Sequence, residues 1–144
     1  MIREAVRGDL EGLLALYAQL HNEPAEQPGK AARQVWETIL QDENYTVIVA
    51  EEEGRLVSTC VCTVVWNLTH QQRPYAVIEN VVTERAFRGR GLATGCLDYA
   101  RGIARRRNCY KMMLMTGSKQ ESTLRFYEQA GYNRHDKTAF IQWL

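Results

Sequence analysis

The sequence predicts an α/β fold of the α+β type, in which helices pack on the faces of a mixed central β-sheet. Three observations predict it. Apolar residues recur at helical spacing near both ends of the chain, β-branched residues concentrate in its middle, and one helical run lies between two strand-like runs. A strand–helix–strand order makes a parallel pair, so parallel and antiparallel pairing should occur in one sheet.

The N-terminal third should contain a short strand and two helices. Residues 1–6 suit the strand, and Asp9 can cap the first helix. Pro24, Pro28 and Gly29 mark residues 21–30 as a loop. The apolar positions at spacings of three and four are Leu10, Leu13, Leu14, Tyr17 and Leu20 in the first helix, and Val35, Trp36, Ile39 and Leu40 in the second.

The middle of the chain favours an antiparallel meander. Residues 45–50, 56–66 and 75–83 are strand-like, because they are rich in β-branched and aromatic side chains. The turn at 51–55 contains Gly54, and residues 67–74 form a polar loop.

The last third should contain two helices and two strands. A helix begins near Gly91, and a strand at 110–116 follows it at once. A helix at about 121–130 is stopped by Gly131, which suits a C-terminal cap. A final strand is expected over about 138–144. The apolar face of the first of these helices comprises Leu92, Ala93, Cys96, Leu97, Ala100, Ile103 and Ala104.

Bulk composition limits the classes of protein. The chain has 144 residues, 45% hydrophobic and 24% charged, which suits a single globular domain over residues 1–144. A formal net charge of +1 argues against a nucleic-acid partner. No run approaches the roughly 18 apolar residues of a membrane helix, so no membrane association is expected. Charges interrupt MIREAVRGDL where a signal peptide needs an apolar core, which predicts a cytoplasmic location.

The cysteines predict neither a metal site nor disulfides. Cys60 and Cys62 lie two apart in a strand-like run and should face the same side, whereas Cys96 and Cys109 lie elsewhere. There is no CxxC pair, and the histidines are remote in sequence from the cysteines. Four free thiols in a reducing compartment and no bound metal are therefore expected.

The segment Arg88-Gly89-Arg90-Gly91-Leu92-Ala93 opens a helix directly after a strand. The first N–H groups of a helix lack internal partners, and the helix dipole there attracts anions. Glycines let the backbone approach a pyrophosphate closely, and the arginines add positive charge. A dinucleotide GxGxxG and a P-loop are both absent. Taken alone, the hexapeptide leaves a phosphate site and a basic surface turn equally open.

Two blocks in the second half of the chain together resemble the GNAT acetyltransferase superfamily. Residues 78–93, IENVVTERAFRGRGLA, contain its [QR]xxGx[GA] pattern as Arg88, Gly91 and Ala93. The second block, close to FYxxxGF, is FYEQAGY at 126–132, and one strand separates the two blocks. The resemblance covers about residues 45–143 and implies a GNAT fold in which two parallel strands splay apart.

The same resemblance implies an acetyl-CoA site and a reaction. Backbone groups of Val81, Val82 and Thr83 would bind the pantetheine arm, and one of these amides would polarise the thioester carbonyl. Arg88 to Ala93, that is Arg88, Gly89, Arg90, Gly91, Leu92 and Ala93, would hold the pyrophosphate. Acetyl-CoA would be a co-substrate that donates an acetyl group to a primary amine in a ternary complex.

Two residues are implied in catalysis. Tyr127 matches the tyrosine that protonates the departing thiolate, although a tyrosine packed under the sheet would fit the same position. Glu79 could accept a proton from the incoming ammonium, or only bind substrate or pair with an arginine. Asn80 should point to the opposite face from Glu79 unless a bulge intervenes. Gln120 stands where many members have asparagine, and it is either a substitute or an exposed helix start.

The acceptor is less constrained. Parts of the chain resemble glucosamine-phosphate N-acetyltransferases, which implies a small-molecule amine and a homodimer joined through the C-terminal strand. Lys119, Arg125 or Arg73 could bind an acidic group on such a substrate, or could be ordinary surface charges. A peptide N-acetyltransferase and a non-catalytic acyl-CoA sensor stay open as alternatives.

Overall fold

The structure, a computed structural model, describes residues 1–144. The strands are β1 (Ile2–Glu4), β2 (Tyr45–Glu52), β3 (Arg55–Val65), β4 (Tyr75–Thr83) and β5 (Met112–Leu114). They form one central sheet in the order β1–β2–β3–β4–β5. The first four strands pair antiparallel, and β4 and β5 pair parallel, so the mixed sheet predicted from the sequence is confirmed.

Four helices of nine residues or more flank the sheet, two on each face. A single turn, α3, lies in the β3–β4 connection, and its residues 70–72 have positive φ. No helix is long and apolar enough to cross a membrane. The helices are α1 (Leu10–His21), α2 (Lys30–Gln41), α3 (Thr69–Gln72), α4 (Leu92–Arg106) and α5 (Glu121–Gln129).

The core is divided by the sheet into two clusters. On one face, α1 and α2 bury Leu13, Leu16 and Trp36 against β2, β3 and the end of β4. On the other face, α4 packs Cys96, Leu97, Ala100, Ile103 and Ala104 against the sheet, and α5 adds partly buried aromatic residues. Each face is thus covered by a helix pair, and the middle residues of β2 and β3 are buried on both faces.

Asp9 acts differently from the helix cap that the sequence suggested. Its carboxylate accepts hydrogen bonds from the backbone N–H of Val6 at 2.7 Å and from the guanidinium of Arg3 at 2.7 and 3.0 Å, and it makes no side-chain cap to α1. Arg3 also donates to Glu51 at 2.6 Å, which ties β1 to β2. These ionic bonds hold the pKa of the Asp9 carboxyl below its usual range against an opposing effect of burial.

The thiols lie as the sequence predicted. Cys60 and Cys62 are both buried in the cluster on the α4 face, and all four cysteines are free. Burial raises the pKa of the Cys62 and Cys96 thiols to about 11, so these side chains remain neutral and serve as small apolar groups.

The predicted final strand is wrong for the single chain. Residues 132–144 contain neither helix nor strand, and Phe140, Ile141 and Trp143 are exposed. The composition of Thr138–Leu144 suits a strand, but a strand needs a neighbour to satisfy its backbone groups, and within this chain none adjoins it. β5 is also shorter than predicted, Met112–Leu114 instead of 110–116.

Candidate active site

A β-bulge interrupts β4 at Asn80. On β3 a single residue, Cys60, lies between the partners of Val82 and Glu79, whereas β4 has two residues there, Asn80 and Val81. Asn80 has a φ of 52°, a left-handed conformation that asparagine tolerates better than most residues. The extra residue shifts the alternation of side chains along the rest of the strand.

The bulge places Glu79 and Asn80 on the same face of the sheet. Glu79 pairs with Val61, which belongs to the α1–α2 cluster, and therefore shares its side. The side chain of Asn80 lies near enough to the Tyr17 hydroxyl on α1 to lower its pKa, against the larger effect of burial. In a regular strand Glu79 and Asn80 would point to opposite faces. The bulge is the exception allowed for in the sequence analysis, and it places both side chains on one face. Both side chains are exposed, so a substrate can reach them.

Tyr17 and Tyr45 lie beside the candidate site residues, and sequence reasoning did not identify either of them as such. Burial and the nearby Tyr45 raise the pKa of Tyr17 to about 12, while the polar side chains of Thr59 and Asn80 nearby act in the opposite direction. Burial, and then the nearby charge of Glu79, raises the pKa of Tyr45. The sequence predicts Tyr17 on the apolar stripe of α1, and it packs there. Its hydroxyl is not needed for core packing and is the one sequence signal that could have indicated a role in the site.

The parallel strands β4 and β5 separate immediately before this bulge. Their register runs through Ala76–Met112, Val77–Met113 and Ile78–Leu114 and stops there, while β4 continues to Thr83. The backbone of 79–83 is therefore paired with β3 only, and no strand pairs with its other edge, so β4 and β5 leave a gap between them there. This is the splayed pair that the resemblance implied.

The three residues predicted to bind the pantetheine arm line this gap. Val81 packs against the α4-side cluster and Val82 is buried in the α1-side cluster, so these side chains serve the core while their backbones border the gap. Thr83 is fixed by a 2.7 Å hydrogen bond between its hydroxyl and that of Ser58, which also donates to the Val82 carbonyl at 3.2 Å.

The predicted phosphate cradle lies at the N-terminus of α4. Gly89 and Gly91 have φ values of 75° and 77°, which favour glycine, and a Cβ at either position would meet no atom within 4 Å. No side chain caps α4, so the N–H groups at its start, which include those of Leu92 and Ala93, remain available to an anion. The segment from Arg88 to Gly91 is exposed.

Both arginines of the cradle contact neighbouring parts of the chain. Arg88 donates from Nε to the Thr83 carbonyl at 3.2 Å, which links the cradle to the end of β4. Arg90 pairs with Glu52 at 3.3 Å and lies over the Phe87 ring at 4.8 Å. Each keeps its positive charge beside the cradle, and neither guanidinium is buried.

Tyr127 lies on the opposite face of the sheet from Glu79. It belongs to α5, packs against the α4-side cluster and meets Phe126 and Tyr132 edge-on, with ring centroids 5.0 and 6.3 Å away. Burial, and to a smaller extent the nearby Cys60, raises the pKa of its hydroxyl. The hydroxyl therefore stays protonated at neutral pH and can donate a proton.

The candidate substrate-binding cations are largely engaged elsewhere. Arg73 donates to the Asn108 and Cys109 carbonyls at 3.2 and 3.1 Å, which fixes the start of β5. Arg125 pairs with Glu121 at 3.4 Å on the surface of α5. Lys119 is exposed and makes no ion pair. Gln120 is the exposed N-cap residue of α5.

Comparison with known proteins identifies the family. The acetyltransferase (GNAT) family matches residues 10–132, which include the bulge, the cradle and Tyr127. The chain belongs to this family. The segment 78–93 and the block 126–132 are therefore parts of a GNAT fold, as their resemblance implied.

Individual relatives extend over nearly the whole GNAT chain. A solved structure of a proposed acetyltransferase from Agrobacterium tumefaciens is 39% identical with a TM-score of 0.92, and each chain is covered to 99%. A transcriptional regulator from Bacillus halodurans is 30% identical with a TM-score of 0.89, again with 99% of both chains covered.

Curated relatives are longer than this chain. Glucosamine 6-phosphate N-acetyltransferase from Trypanosoma brucei brucei is 30% identical over 91 residues, which cover 63% of this chain. The chain spans between 60% and 64% of the length of the curated relatives that it matches.

Proposed function

We propose that residues 1–144 form one GNAT domain that transfers an acetyl group from acetyl-CoA to a primary amine of a small molecule. One observation carries the proposal. The gap that opens between β4 and β5 after Ile78 and Leu114 leads toward the uncapped, glycine-flanked start of α4. A thioester on an extended arm with a pyrophosphate suits a slot that joins free strand amides to an anion site.

Binding of acetyl-CoA would use backbone groups at both ends of the slot. The start of α4, from Arg88 to Ala93, would hold the pyrophosphate through N–H groups, with Arg88 and Arg90 adding positive charge. The free edge of β4 at Val81, Val82 and Thr83 would align the pantetheine arm. Because the bond from Arg88 to the Thr83 carbonyl joins the two sites, arm and pyrophosphate would be oriented together.

Acetyl transfer would then be a direct displacement. The neutral amine attacks the thioester carbonyl, a C–N bond forms and the C–S bond breaks. Negative charge that develops on the carbonyl oxygen would be stabilised by a free N–H of β4. The departing thiolate would take the proton of the Tyr127 hydroxyl, whose raised pKa keeps it protonated at neutral pH. The proton that the attacking nitrogen loses as the amide forms would leave through water and restore the hydroxyl.

Glu79 would prepare the amine on the other side of the slot. Its carboxylate is exposed and makes no ion pair, so it is available to a cationic substrate. A proton leaving the ammonium would pass to Glu79, directly or through water. Tyr17 and Asn80, beside it, would orient the acceptor by hydrogen bonds.

Glucosamine 6-phosphate is the first acceptor to test, because a relative that is 30% identical over 91 residues carries that activity in its name. The arrangement of cations gives a competing expectation. Arg73 and Arg125 already bind protein groups, which leaves Lys119 alone for an acidic substrate group. A cationic polyamine or an amino sugar without phosphate would suit Glu79 equally well.

A non-catalytic sensor is the second candidate, and a specific observation favours it. A full-length relative that is 30% identical is described as a transcriptional regulator. A sensor needs the acetyl-CoA slot but not an acid at Tyr127 or a base at Glu79. A peptide N-acetyltransferase is a third candidate, since Glu79 and Asn80 lie on an exposed surface.

The deciding experiment measures free thiol released from acetyl-CoA by the purified protein. Glucosamine 6-phosphate, polyamines, amino acids and short peptides would be compared with a blank without amine. Thiol release with a small amine supports the proposal, and release with peptides alone supports the third candidate. Binding of acetyl-CoA without release from any amine would contradict the catalytic proposal and favour the sensor.

A further inference from the structure

The sheet face that carries Glu79 extends along β4 and β5 as a half-buried stripe outside both core clusters. Val77 and Tyr75 follow Glu79 at every second position of β4, so their side chains share its face. On β5, Met113 pairs with Val77 and alternates with residues that pack against α4, so it lies on this face as well. Val77, Tyr75 and Met113 are half-buried and belong to neither cluster. The stripe is therefore surface that the chain leaves partly accessible beside the proposed base.

Lys111 ends the stripe with an unpaired positive charge. Its carbonyl accepts a hydrogen bond from the Ala76 N–H at 3.0 Å, which continues the pairing of β5 and places the side chain on the face of Met113. The Lys111 Nζ lies 5.2 Å from the ring centroids of both Tyr75 and Tyr110. The side chain is half-buried and makes no ion pair. Because the aromatic rings hold the ammonium without neutralising it, this position attracts an anion.

The β3–β4 connection fixes the aromatic rings around Lys111. His70 stacks on Tyr110 with ring centroids 3.8 Å apart and planes 10° apart, and its Nδ1 lies 2.9 Å from the Thr69 hydroxyl. Residues 70–72 all have positive φ. Such conformations persist outside glycine only where the surrounding structure holds them, and they are frequent in binding sites. The ammonium of Lys111 therefore has a defined position.

Opposite charges lie at the two ends of the stripe. Glu79 makes no ion pair and is four residues from Tyr75, the level at which the Lys111 ammonium lies. Four residues of a strand span about 13 Å. Arg73 adds a second positive charge to the Lys111 end, where its guanidinium donates to the Cys109 carbonyl at 3.1 Å. A fixed separation of charges with apolar side chains between them favours a molecule with the complementary pattern.

We propose that the acceptor is an elongated amine with a terminal anionic group, and that Lys111 binds this group. The reacting nitrogen would lie at Glu79, an apolar chain would lie on Val77 and Met113, and a carboxylate or phosphate would bind Lys111. The inference rests on the proposed acetyl transfer, because that reaction places the amine at Glu79. It adds the class of acceptor, an amine whose anion lies roughly 10 Å or more from the nitrogen. Lys111 determines specificity and takes no part in the chemistry.

The first test compares acceptors that differ only at the end remote from the reacting amine. 8-Aminooctanoate and 8-aminooctyl phosphate carry an anion there, octylamine carries no charge, and 1,8-diaminooctane carries a cation. In the thiol-release assay we expect KM for an anionic acceptor to be at least about 10-fold below that for octylamine, and KM for the diamine to be the highest. The lower KM of the two anionic acceptors tells carboxylate from phosphate. Equal KM values for octylamine and both anionic acceptors would overturn the proposal.

Substitution of Lys111 tests whether this residue carries the preference. Lys111→Met should raise KM for 8-aminooctanoate about 10-fold with kcat unchanged, and Lys111→Arg should keep most of the preference. Lys119, the cation that the sequence analysis suggested and that makes no ion pair, is the rival. Lys119→Met should keep the preference for the anionic acceptor. A preference that survives Lys111→Met, or that is lost in Lys119→Met, would overturn the assignment.

A binding measurement separates this inference from the proposed activity. The methyl groups of the four methionines can be labelled with carbon-13, and the signal of Met113 can be assigned with Met113→Leu. Added 8-aminooctanoate should shift the Met113 signal in the wild-type protein and not in Lys111→Met. A shift that depends on Lys111, without thiol release from any amine, would support the anion site and contradict acetyl transfer. Thiol release without such a shift would overturn the anion site and leave the proposed function in place.

Discussion

The two halves of β4 differ in what lies beside them. Residues 76–78 pair with β3 on one side and β5 on the other, whereas residues 79–83 pair with β3 alone. Ala76 and Ile78 in the first half are fully buried, but Glu79 and Asn80 at the start of the second are exposed. A paired backbone contributes to the core, and an unpaired one has N–H and C=O groups left for a ligand.

The largest effect should come from the cradle beside the open half. Gly91→Glu places a carboxylate at the start of α4, where it would repel a pyrophosphate and occupy its site. We expect acetyl-CoA affinity to fall by at least about 100-fold, equivalent to about 3 kcal/mol. Isothermal titration calorimetry measures this directly.

Gly54→Glu is a matched control, because Gly54 also has a positive φ and open space around it, in the β2–β3 turn. It should bear similar backbone strain without the loss of affinity. Equal affinity of the Gly91→Glu and wild-type proteins would remove the cradle from the site.

The next effect concerns the group that would act across the gap. Tyr127→Phe removes the proposed acid and keeps the ring packed against Phe126 and Tyr132. Turnover should fall by about 100-fold while acetyl-CoA affinity is unchanged, as expected for loss of a general acid. Tyr132→Phe, a buried neighbour in the same cluster, should leave turnover near wild type. If Tyr127→Phe keeps full turnover, water or another group protonates the thiolate.

Glu79→Gln tests the role of the first residue in the half of β4 that pairs with β3 alone. If Glu79 is the general base, Glu79→Gln should lower kcat by about 10-fold or more and change the acidic side of the pH–rate profile. As a binding residue, its loss would raise KM for the amine and leave kcat unchanged. Steady-state kinetics against pH separates the two roles. Glu53→Gln, on the exposed β2–β3 turn, should change neither quantity.

Asn80→Val tests the bulge that separates the halves. A β-branched residue at a φ of 52° should destabilise the fold by about 1–3 kcal/mol. Asn80→Gly should cost much less, since glycine adopts this conformation freely. Urea denaturation with an unchanged m-value measures both. Equal losses for valine and glycine would mean that the side chain of Asn80, and not its backbone conformation, stabilises the bulge.

The smallest expected effect is a pH dependence of the free energy of unfolding. It comes from buried thiols in the same core cluster as Ala76 and Ile78. Burial raises the pKa of Cys62 and Cys96 above the ordinary 9.0 to about 11. Their contribution to stability is complete below pH 9 and is lost as the pH rises toward 11, because the unfolded thiols release protons first. Urea midpoints between pH 8 and 11 should fall, and less steeply in a Cys62→Ala, Cys96→Ala variant. An identical slope in both proteins would assign the loss to other groups.

Local pattern was sufficient for much of the fold and for the backbone conformation of the glycine segment before α4. The stripes that predict α1 and α4 are periodic over several turns, and Gly89 and Gly91 have the positive φ that their position before a helix suggests. The Asn80 bulge was foreseen as an exception only, because nothing in the alternation of IENVV marks which residue is extra. The proximity of Tyr17 and Asn80 brings together positions 63 apart in the sequence, and propensity does not encode such proximity.

The C-terminal strand failed for a different reason. Its residues favour extended structure, but a strand also needs a neighbouring strand to pair with. Within this chain no strand pairs with residues 138–144. The fate of Arg73 was also beyond the sequence, since its bonds to the Asn108 and Cys109 carbonyls follow from how β4 meets β5.

The bulge has a consequence for anyone who exchanges segments between members of this family. Before it, even-numbered residues such as Ile78 face the α4 side, and after it the odd-numbered Val81 does so while Val82 faces α1. The alternation of side chains between the two faces is therefore shifted by one residue at the bulge. A graft aligned one residue out of step at Asn80 would turn Val82 toward the wrong cluster and bury a carboxylate, so a chimaera should be joined at the bulge and never across it.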